Sequence, residues 1–332
     1  MRLLILGGTR FVGRAIATDA VTRGWDVTVL NRGATADPPD GVRSLTADRT
    51  AYGELADALG TQRWDVVADT WAGAPSVVRD AAGLLAERTG RYGYISSRSV
   101  YTWPPEPGAD ESRPVVEADP DADATDYAAD KRGGELAAIR EHGGDRVLIA
   151  RAGLILGPYE DIGRLPWWLS RIARGGRVVA PGTPDRGLQY VDARDLAAWL
   201  LDNLVRGTSG AIDVVSPRRH TTIGDLLANC VDVTGSDAEL VWVPEDVLDA
   251  QGAEGWTHFP CWVPSTGELA GLMASDTSRA AQTGLRCRPM HDTVADTWSW
   301  LERAGMPAPR EGRPPNGLPA ELEKRLLARV KA

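Results

Sequence analysis

The sequence contains only three cysteines and four histidines, and neither set has the spacing of a metal site. The cysteines, Cys230, Cys261 and Cys287, are odd in number and include no C-x-x-C pair. They therefore predict reduced thiols in a cytoplasmic protein, and they exclude a disulfide framework or a zinc site. The histidines lie far apart along the chain, which predicts that the protein holds no metal ion.

Excess positive charge and long apolar runs are also missing. Lysine and arginine together number 37 against 46 aspartates and glutamates, which gives a formal net charge of −9. Because a nucleic-acid-binding protein normally carries a basic patch, we expect no nucleic-acid partner. The apolar run that follows Met1 and Arg2 is too short for a signal peptide, and no run approaches the length of a membrane span. These absences favour a small-molecule substrate and predict no membrane partner.

The first stretch of the chain, MRLLILGGTRFVG, has the pattern of a nucleotide-binding turn. Leu3 to Leu6 form an apolar run that is typical of a strand buried on both faces of a parallel sheet, and Gly7-Gly8 end it. Gly13 lies where a helix is expected to begin. A strand, a glycine turn and a helix start bring unpaired amide groups together, which favours a pyrophosphate. An ordinary tight turn is the alternative, because Arg10 stands where the usual G-x-x-G-x-x-G loop has glycine.

Strand and helix patterns then alternate along the chain. The further strands are predicted at Trp25–Leu30, Val42–Leu45, Asp65–Ala68, Tyr92–Ile95 and Val147–Ala150, with helices between them, for example at Ser76–Glu87 and Tyr127–Glu141. Strands separated by helices indicate βαβ units with right-handed crossovers. The predicted fold class is α/β, a Rossmann-type doubly wound parallel sheet with a smaller C-terminal substrate lobe.

Three regions follow from these patterns. Residues 1–157 and about 186–215 are predicted to form the dinucleotide-binding domain. Residues 158–185 and about 216–303 are predicted to form the substrate-binding lobe. Residues 304–332 combine a Pro/Gly-rich linker with an amphipathic helix from Pro319 to Val330, which docks on the body of the protein or on the partner subunit of a homodimer.

The end of the second predicted strand bears on the choice of cofactor. An acidic residue there would hydrogen-bond the ribose hydroxyls of NAD. The residues present are instead Asn31 and Arg32, and Arg10 lies in the neighbouring loop. Guanidinium groups attract a 2′-phosphate, so the sequence favours NADP(H), with NAD(H) as the alternative if both arginines are ordinary solvated loop residues.

The segment Tyr127-Ala-Ala-Asp-Lys131 is the clearest catalytic signal in the sequence. Residues four apart on a helix share a face, so the phenol and the ammonium point the same way. A nearby cation stabilises a phenolate, which makes Tyr127 a usable acid or base near neutral pH. The alternative is an ordinary surface pair on a helix.

A serine-rich segment, Ser96-Ser97-Arg98-Ser99, follows the predicted strand at Tyr92–Ile95. Active sites of open α/β sheets form at the C-terminal ends of the strands. A serine in that place can hydrogen-bond a substrate carbonyl and stabilise developing negative charge. Serines at a strand end are also common turn residues.

Together these segments resemble an extended short-chain dehydrogenase/reductase of the NAD-dependent epimerase/dehydratase family. The similar segments are GGTRFVG at 7–13, SSRSVY at 96–101, YAADK at 127–131, RAGLILGP at 151–158 and QYVDARDLA at 189–197. The resemblance implies that Tyr127 is the general acid/base and that Lys131 holds the nicotinamide ribose. It also implies that Ser97 binds the reacting oxygen, with Ser99 as the alternative. The cofactor contacts expected from the motifs and the resemblance are Gly7, Thr9, Arg10, Phe11, Val12, Gly13, Asn31, Arg32, Asp48, Tyr127 and Lys131.

The sequence also departs from the pattern of this family. Leu154 and Leu188 stand where members that use nucleotide sugars carry an asparagine and an arginine for the diphosphate, and leucine cannot pair with an anion. Arg186 lies two residues away and could substitute. Ser97 is not followed by the Asp-Glu pair of the dehydratases, which disfavours a dehydratase.

Tryptophan is frequent, with 12 in the chain. Many of them lie in predicted loops, and ligand pockets are largely apolar and aromatic. The predicted substrate-binding residues are Trp71, Ser99, Trp103, one of Trp167 and Trp168, and Arg186. Packing in the core is the alternative for each tryptophan.

The sequence therefore predicts an NADP(H)-dependent carbonyl reductase or dehydrogenase that acts on a small metabolite other than a nucleotide sugar. One alternative is an NAD-dependent epimerase of sugars or nucleotide sugars. Another, of a different class, is a non-catalytic nucleotide sensor or RNA-associated member of the family. That class is disfavoured because this chain keeps the Tyr–Lys pair and is acidic.

Overall fold

A computed structural model describes residues 1–34, 36–308 and 316–329. The strands of this part of the chain are β1 (Arg2–Leu6), β2 (Asp26–Asn31), β3 (Arg43–Thr46), β4 (Trp64–Asp69), β5 (Thr89–Ser97), β6 (Val147–Ala152), β7 (Leu154–Leu156), β8 (Arg177–Pro181), β9 (Gly187–Leu188), β10 (Tyr190–Asp192), β11 (Gly210–Val214), β12 (Thr221–Thr222) and β13 (Glu239–Val243). The helices are α1 (Phe11–Thr22), α2 (Tyr52–Leu59), α3 (Pro75–Leu85), α4 (Tyr127–His142), α5 (Arg164–Ala173), α6 (Ala193–Arg206), α7 (Ile223–Thr234), α8 (Glu245–Ala250), α9 (Ser278–Gln282), α10 (Met290–Ala304) and α11 (Ala320–Arg329).

A seven-stranded sheet forms the centre of the first domain, in the order β11-β6-β5-β4-β1-β2-β3. All neighbouring strands in it run parallel. The chain builds outward from β1 through β2 to β3, and then returns to place β4 on the other side of β1. This reversal opens a crevice at the C-terminal ends of the central strands, where ligands bind in such sheets. The predicted doubly wound parallel sheet is confirmed.

Alternating side chains of β1 enter two different cores. Leu3 and Ile5 pack with residues of α1 and α6 on one face of the sheet. Leu4 and Leu6 pack with residues of α2, α3 and α4 on the other face. Because all four are almost completely buried, each contributes about 1.5–3 kcal/mol of hydrophobic stabilisation. The uninterrupted apolar run in the sequence is the consequence of this position between two helical layers.

A third hydrophobic core joins α5, α7, α10 and α11 to the parallel pair β8–β13, and the elements around it are called the second lobe below. Leu322 and Leu326 of α11 are buried in this core. Arg171 of α5 and Glu323 form an ion pair of 2.8 Å with both side chains largely buried. The C-terminal helix therefore docks on the body of its own chain. Part of the predicted linker, residues 309–315, and the last predicted helical residue, Val330, lie outside the described residues.

Two boundaries matter for the site. Helix α4 begins at Tyr127, as the sequence predicted, with Asp126 accepting hydrogen bonds from the amides of Ala128 and Ala129 at 2.9 and 3.0 Å. Strand β5 runs on to Ser97, two residues beyond the predicted end, so the serine segment begins within the sheet. Among the described helices, none combines the length and the apolar composition that a bilayer crossing needs.

Candidate active site

The turn after β1 is built from glycines that leave no room for side chains. Gly7 and Gly8 have φ values of +118° and +102°, in the region that favours glycine. A Cβ atom on Gly13, in the first turn of α1, would lie 2.6 Å from the Gly8 nitrogen. The backbone of the turn and the start of α1 are therefore in direct contact, as in a turn that lets the backbone approach a pyrophosphate.

Helix α1 begins without a side-chain cap. Arg10 occupies the N-cap position with a φ of −119°, and its side chain makes no capping hydrogen bond. Any residue can adopt this extended conformation, which explains why arginine is accommodated where the usual loop has glycine. Phe11, Val12 and Gly13, whose amides belong to the uncapped first turn, border a cavity. The positive end of the helix dipole therefore faces a space that an anion can fill.

The cavity has a volume of about 730 Å³ and extends from the glycine turn to the second lobe. This volume lies within the range of small-molecule sites. Its walls include residues 7–13, the serine segment 96–99, and Tyr127 and Lys131 of α4. From the second lobe it is lined by Ile162, Arg164, Trp256, Leu272 and Met273. The glycine turn, the serines and the Tyr–Lys pair therefore share one cavity.

Tyr127 and Lys131 differ in exposure although they lie one turn apart on α4. Tyr127 is 43% exposed, whereas Lys131 is 3% exposed. The Lys131 Nζ donates hydrogen bonds to the carbonyl oxygens of Ile95, at 2.7 Å, and Trp71. Burial lowers the pKa of Lys131 to about 8, against the attraction of the Asp69 carboxylate, which favours the charged form. The ammonium is thus fixed at the ends of β4 and β5, below an accessible phenol.

The neighbouring serines have distinct partners. Ser96 donates a hydrogen bond of 2.7 Å to Glu135, which also accepts two hydrogen bonds from Arg151. Ser97 donates to the Ser99 hydroxyl at 3.1 Å and accepts from the Ser99 amide at 3.1 Å. Ser96 therefore takes part in a buried structural network. Ser97 and Ser99 keep hydroxyl groups that can meet a ligand in the cavity.

A buried ion pair supports the loop beside Lys131. Arg49 donates two hydrogen bonds to Asp69, at 2.6 and 2.8 Å, and Tyr92 donates one of 2.5 Å to the same carboxylate. The amide of Trp71 donates to Asp69 at 2.9 Å. Despite burial, the Arg49 guanidinium and these hydrogen bonds hold the pKa of Asp69 below its usual value. Because Trp71 supplies a carbonyl to Lys131, this network also supports the position of Lys131.

The residues predicted to contact the adenosine end of a cofactor lie at the ends of β2 and β3. The Asn31 side-chain oxygen accepts a hydrogen bond of 2.7 Å from the Gly33 amide. Asp48 accepts from the amide and hydroxyl of Thr50 at 2.9 and 2.7 Å. These hydrogen bonds, with the charge of Arg32, keep the pKa of Asp48 below its usual value. Asp48 is therefore charged, and its hydrogen bonds stabilise the turn from Asp48 to Thr50.

Arg10 reaches across the cavity to the second lobe. Its Nε lies 3.4 Å from the Asp161 carboxylate, and its side chain is 56% exposed. The pair links the glycine turn to the segment that precedes α5. Since Arg10 already faces a carboxylate, the argument for a 2′-phosphate depends on Arg32.

The structure separates the tryptophans that the sequence grouped together. Trp103 lines the cavity and is 51% exposed. Trp168 is completely buried and donates a hydrogen bond of 2.6 Å to the Pro260 carbonyl, so the expectation that it contacts a substrate is corrected. Trp167 packs edge-on against Trp168 at 4.6 Å, on the same core. The Trp71 ring lies under Arg49 and donates to Ala74 at 3.0 Å. Packing with neighbouring protein groups accounts for these three rings.

Arg186 also forms its hydrogen bonds with the protein itself. Its guanidinium donates hydrogen bonds to the carbonyl oxygens of Val263 at 3.1 Å, Pro264 at 2.7 Å and Ala270 at 3.0 Å. Three carbonyl partners hold the guanidinium against the 263–270 loop. The expectation that Arg186 replaces the missing diphosphate-binding arginine is therefore corrected.

The cavity contains charged residues that sequence analysis did not select. Arg98, Arg113 and Arg164 line it together with Trp256. Arg98 lies between the two candidate serines, and this position is the one sequence feature that could have identified it as a cavity residue. Arg113 lies in an irregular segment, and Arg164 is the first residue of α5. At such positions no periodic sequence pattern indicates that a side chain belongs to a site.

A family model supports the resemblance inferred from the motifs. The model of the NAD dependent epimerase/dehydratase family matches residues 3–83 and 78–212. The matched region contains the glycine turn, the serine segment and the Tyr–Lys pair. It extends over most of the first domain and into the second lobe.

Solved structures share the fold at low sequence identity. The enzyme WbmH of Bordetella bronchiseptica, in complex with NAD⁺, has a TM-score of 0.70 and 17% identity over 92% of this chain and 99% of that one. The UDP-glucose 4-epimerase of Thermus thermophilus, in complex with NAD, has a TM-score of 0.66 and 20% identity over 92% of this chain and 100% of that one. At such identities the likeness concerns the fold alone.

A curated relative comes from a plant. The chloroplast stem-loop binding protein of 41 kDa b from Arabidopsis thaliana is 25% identical over 250 residues, which is 70% of this chain. The match spans 63% of the length of that protein.

Proposed function

The chain belongs to the NAD dependent epimerase/dehydratase family, and we propose that it is an NAD(P)-dependent oxidoreductase that interconverts an alcohol and a carbonyl group of a small molecule. The observation that supports this most is the single cavity shared by the glycine turn, Ser97, Tyr127 and Lys131. An acid/base, its cation and a dinucleotide-binding turn are the parts that such chemistry needs in one place.

The roles of the residues follow from their positions. Tyr127 donates a proton to the substrate oxygen during reduction and removes it during oxidation. The buried ammonium of Lys131 stabilises the phenolate that remains, and the Ser97 hydroxyl hydrogen-bonds the reacting oxygen. A nicotinamide dinucleotide, when bound over residues 7–13, supplies or accepts the hydride.

For the cofactor we propose NADP(H). β2 ends at Asn31 and Arg32 follows it, so the strand end itself carries no carboxylate that would repel a 2′-phosphate. The Arg32 guanidinium lies close enough to Asp48 to lower the pKa of that carboxyl, so a cation is present at this edge of the sheet. The relatives crystallised with NAD are the reason to test NAD(H) in parallel.

For the substrate we propose a metabolite other than a nucleotide sugar. Leu154 lines the cavity and Leu188 is buried in β9, at the two positions where an asparagine and an arginine would meet a diphosphate. Arg186 was the available substitute, and its guanidinium is bound to backbone carbonyls. Apolar groups at these positions disfavour a bound diphosphate.

An epimerase is the second candidate, because structures of that activity share the fold. The two functions differ in the fate of the cofactor. An oxidoreductase releases it in the other redox state, whereas an epimerase restores it on the protein. RNA binding, suggested by the name of the plant relative, is disfavoured by the net charge of −9 and by the retained Tyr–Lys pair.

One experiment separates these candidates. One sample of the purified protein is denatured, and the released nucleotide is identified by mass spectrometry. A second, native sample is assayed with a panel of carbonyl compounds by the loss of NADPH or NADH absorbance. Stoichiometric consumption of NADPH supports the proposal. Tightly held NAD, recovered unchanged after substrate conversion, would establish the epimerase, and binding of an RNA hairpin without turnover would establish the third class.

A further inference from the structure

The charges that line the cavity all have one sign. Among the described lining residues, the side chains charged at neutral pH are Arg10, Arg98, Arg113, Lys131 and Arg164, and no carboxylate or imidazole is present. The chain as a whole has a net charge of −9. A cationic cavity in an acidic protein indicates that the ligands are anionic.

The cofactor accounts for only part of this charge. Arg10 belongs to the glycine turn, and Lys131 is bound to carbonyl oxygens below Tyr127. Arg98 and Arg113 face Asp213, which lies on the edge strand β11, four strands from β1 in the sheet order. This end of the cavity is distant from the pyrophosphate turn, so the cofactor's pyrophosphate does not account for the charge of these two arginines.

Arg113 has unused hydrogen-bond donors. Its guanidinium stacks 3.8 Å above the ring of Tyr101, and its side chain is 11% exposed. The Nε and Nη2 atoms are buried and have no hydrogen-bond partner. The nearest carboxylate, Asp213, lies 3.6 Å away. Leaving donors of a charged group buried and unpaired is costly, and these two atoms face into the protein. Arg113 nevertheless lines the cavity, where an anion would compensate its charge.

Asp213 cannot neutralise both arginines. It already accepts a hydrogen bond of 2.7 Å from the Tyr101 hydroxyl, and it lies 3.4 Å from the Nε of Arg98. The Asp213 carboxylate therefore faces two guanidinium groups, and the Glu111 carboxylate, which accepts a hydrogen bond of 3.0 Å from the Asp213 amide, lies beside it. Arg98 is anchored by hydrogen bonds to the Leu272 carbonyl and the Ser275 hydroxyl. Arg113, by contrast, has a carboxylate at 3.6 Å and the face of the Tyr101 ring as its neighbours.

We propose that Arg113, supported by Arg98, binds an oxyanion of the substrate, a carboxylate or a phosphate. Arg98 directly follows Ser97 in the chain, so the anion lies on the same wall of the cavity as the reacting oxygen. A guanidinium fork suits either anion by paired hydrogen bonds. This inference rests on the proposed function, and it narrows the substrate to an acidic hydroxy or carbonyl compound.

The test uses matched pairs of compounds on the whole chain with NADP⁺ or NADPH present. One pair is a keto acid and its methyl ester, and another is a phosphorylated ketone and its unphosphorylated form. We expect the wild type to prefer the anionic member of one pair by about tenfold or more in kcat/KM. Arg113→Gln should lower kcat/KM for the anionic member by about tenfold and so remove this preference. The pair that shows the preference distinguishes carboxylate from phosphate.

Binding is measured in parallel by isothermal titration of the same compounds, so that the result does not depend on turnover. Anion-selective binding that Arg113→Gln abolishes, and that Arg113→Lys partly restores, supports the subsite even if no compound is turned over. Arg303→Gln removes the same charge from an exposed position on α10 and should change nothing. Equal binding of acids and esters, or a preference that survives Arg113→Gln, would overturn the proposal. Absence of turnover with intact selective binding would instead count against the proposed function.

Discussion

The Lys131 Nζ on α4 donates a hydrogen bond of 2.7 Å to the carbonyl oxygen of Ile95 near the end of β5. Ser97 lies two residues further along the same strand. A single buried ammonium therefore connects the helix that begins with Tyr127 to the strand that presents Ser97. This hydrogen bond helps to fix the position of Tyr127 relative to Ser97, because a shift of either element would break it.

Tyr127→Phe removes the phenol hydroxyl, which is the proposed proton donor, and keeps the ring. We expect a loss of turnover of about 100-fold or more, because general acid/base catalysis contributes on this scale. Cofactor affinity should stay within about twofold, because the glycine turn is untouched. Steady-state assays and a fluorescence titration with NADPH measure the two quantities. Undiminished turnover would remove Tyr127 from the mechanism.

Arg32→Ala tests the cofactor choice. If Arg32 faces the 2′-phosphate, the Kd of NADPH should rise by about tenfold while the Kd of NADH changes little. Arg43→Ala is the matched control, because Arg43 is an exposed arginine of β3 that pairs with Asp26. Equal weakening of both cofactors by Arg32→Ala would contradict the preference for NADP(H).

The pKa of Lys131 can be measured directly because the sequence contains only two other lysines, Lys324 and Lys331. Burial lowers the pKa of Lys131 from 10.5 to about 8. In NMR spectra of lysine-labelled protein, one signal should titrate near pH 8 and disappear in Lys131→Met. Three signals that all titrate near their ordinary value would show that Lys131 is not buried as described.

The same shift predicts a change of stability with pH. Between about 8 and 10.5 the unfolded chain holds a proton on Lys131 that the folded chain has lost. The contribution of Lys131 to the free energy of unfolding therefore rises with pH in that window and is constant below it.

Glu160→Gln tests a second buried group. Glu160 is completely buried and accepts hydrogen bonds from the amides of Arg164 and Leu165 at 2.8 and 2.9 Å, yet burial raises its pKa from 4.5 to about 7. The folded chain keeps this proton after the unfolded chain has lost it. Stability should therefore fall by about 3 kcal/mol at most as the pH rises from 4.5 to 7. Urea unfolding at several pH values should show this slope in the wild type and a reduced slope in the variant. Identical pH profiles would exclude a raised pKa.

Gly13→Ala tests the contact between the glycine turn and α1. The added Cβ would lie 2.6 Å from the Gly8 nitrogen, so the turn must shift. We expect a loss of more than about 2 kcal/mol of stability, and weaker cofactor binding. Gly53→Ala in α2 meets no atom within 4 Å and should raise stability by about 0.4–1 kcal/mol. Thermal unfolding of both variants provides the comparison, and an unchanged Tm for Gly13→Ala would contradict the close contact.

Much of the fold could be predicted because its signals are local. The β1 run from Leu3 to Leu6 is apolar on both faces, since each face meets a helical layer. The start of α4 at Tyr127 coincides with a helix pattern and an aspartate cap. Such features depend on residues that are close together in the sequence, so they can be predicted without a structure.

The candidate substrate residues were less predictable. Trp168 and Trp103 both looked like pocket residues, but one is completely buried and the other is half exposed. Arg186 looked available for an anion, and three carbonyl groups of a distant loop bind it. No local pattern distinguishes these cases, because the partners are between about 77 and 92 residues away in the chain.

The sequence alone determined the parallel sheet, the glycine turn and the pairing of Tyr127 with Lys131, because strand periodicity, turn chemistry and helical spacing act over a few neighbouring residues. Only the tertiary structure decided which charges meet in the cavity. Arg98, Arg113 and Asp213 come from three separate segments, and they assemble because β5 and β11 both end at the same edge of the sheet as β6. That assembly decides whether the charge of an arginine is balanced by a carboxylate of the protein. The proposed anion site at Arg113 depends on this balance.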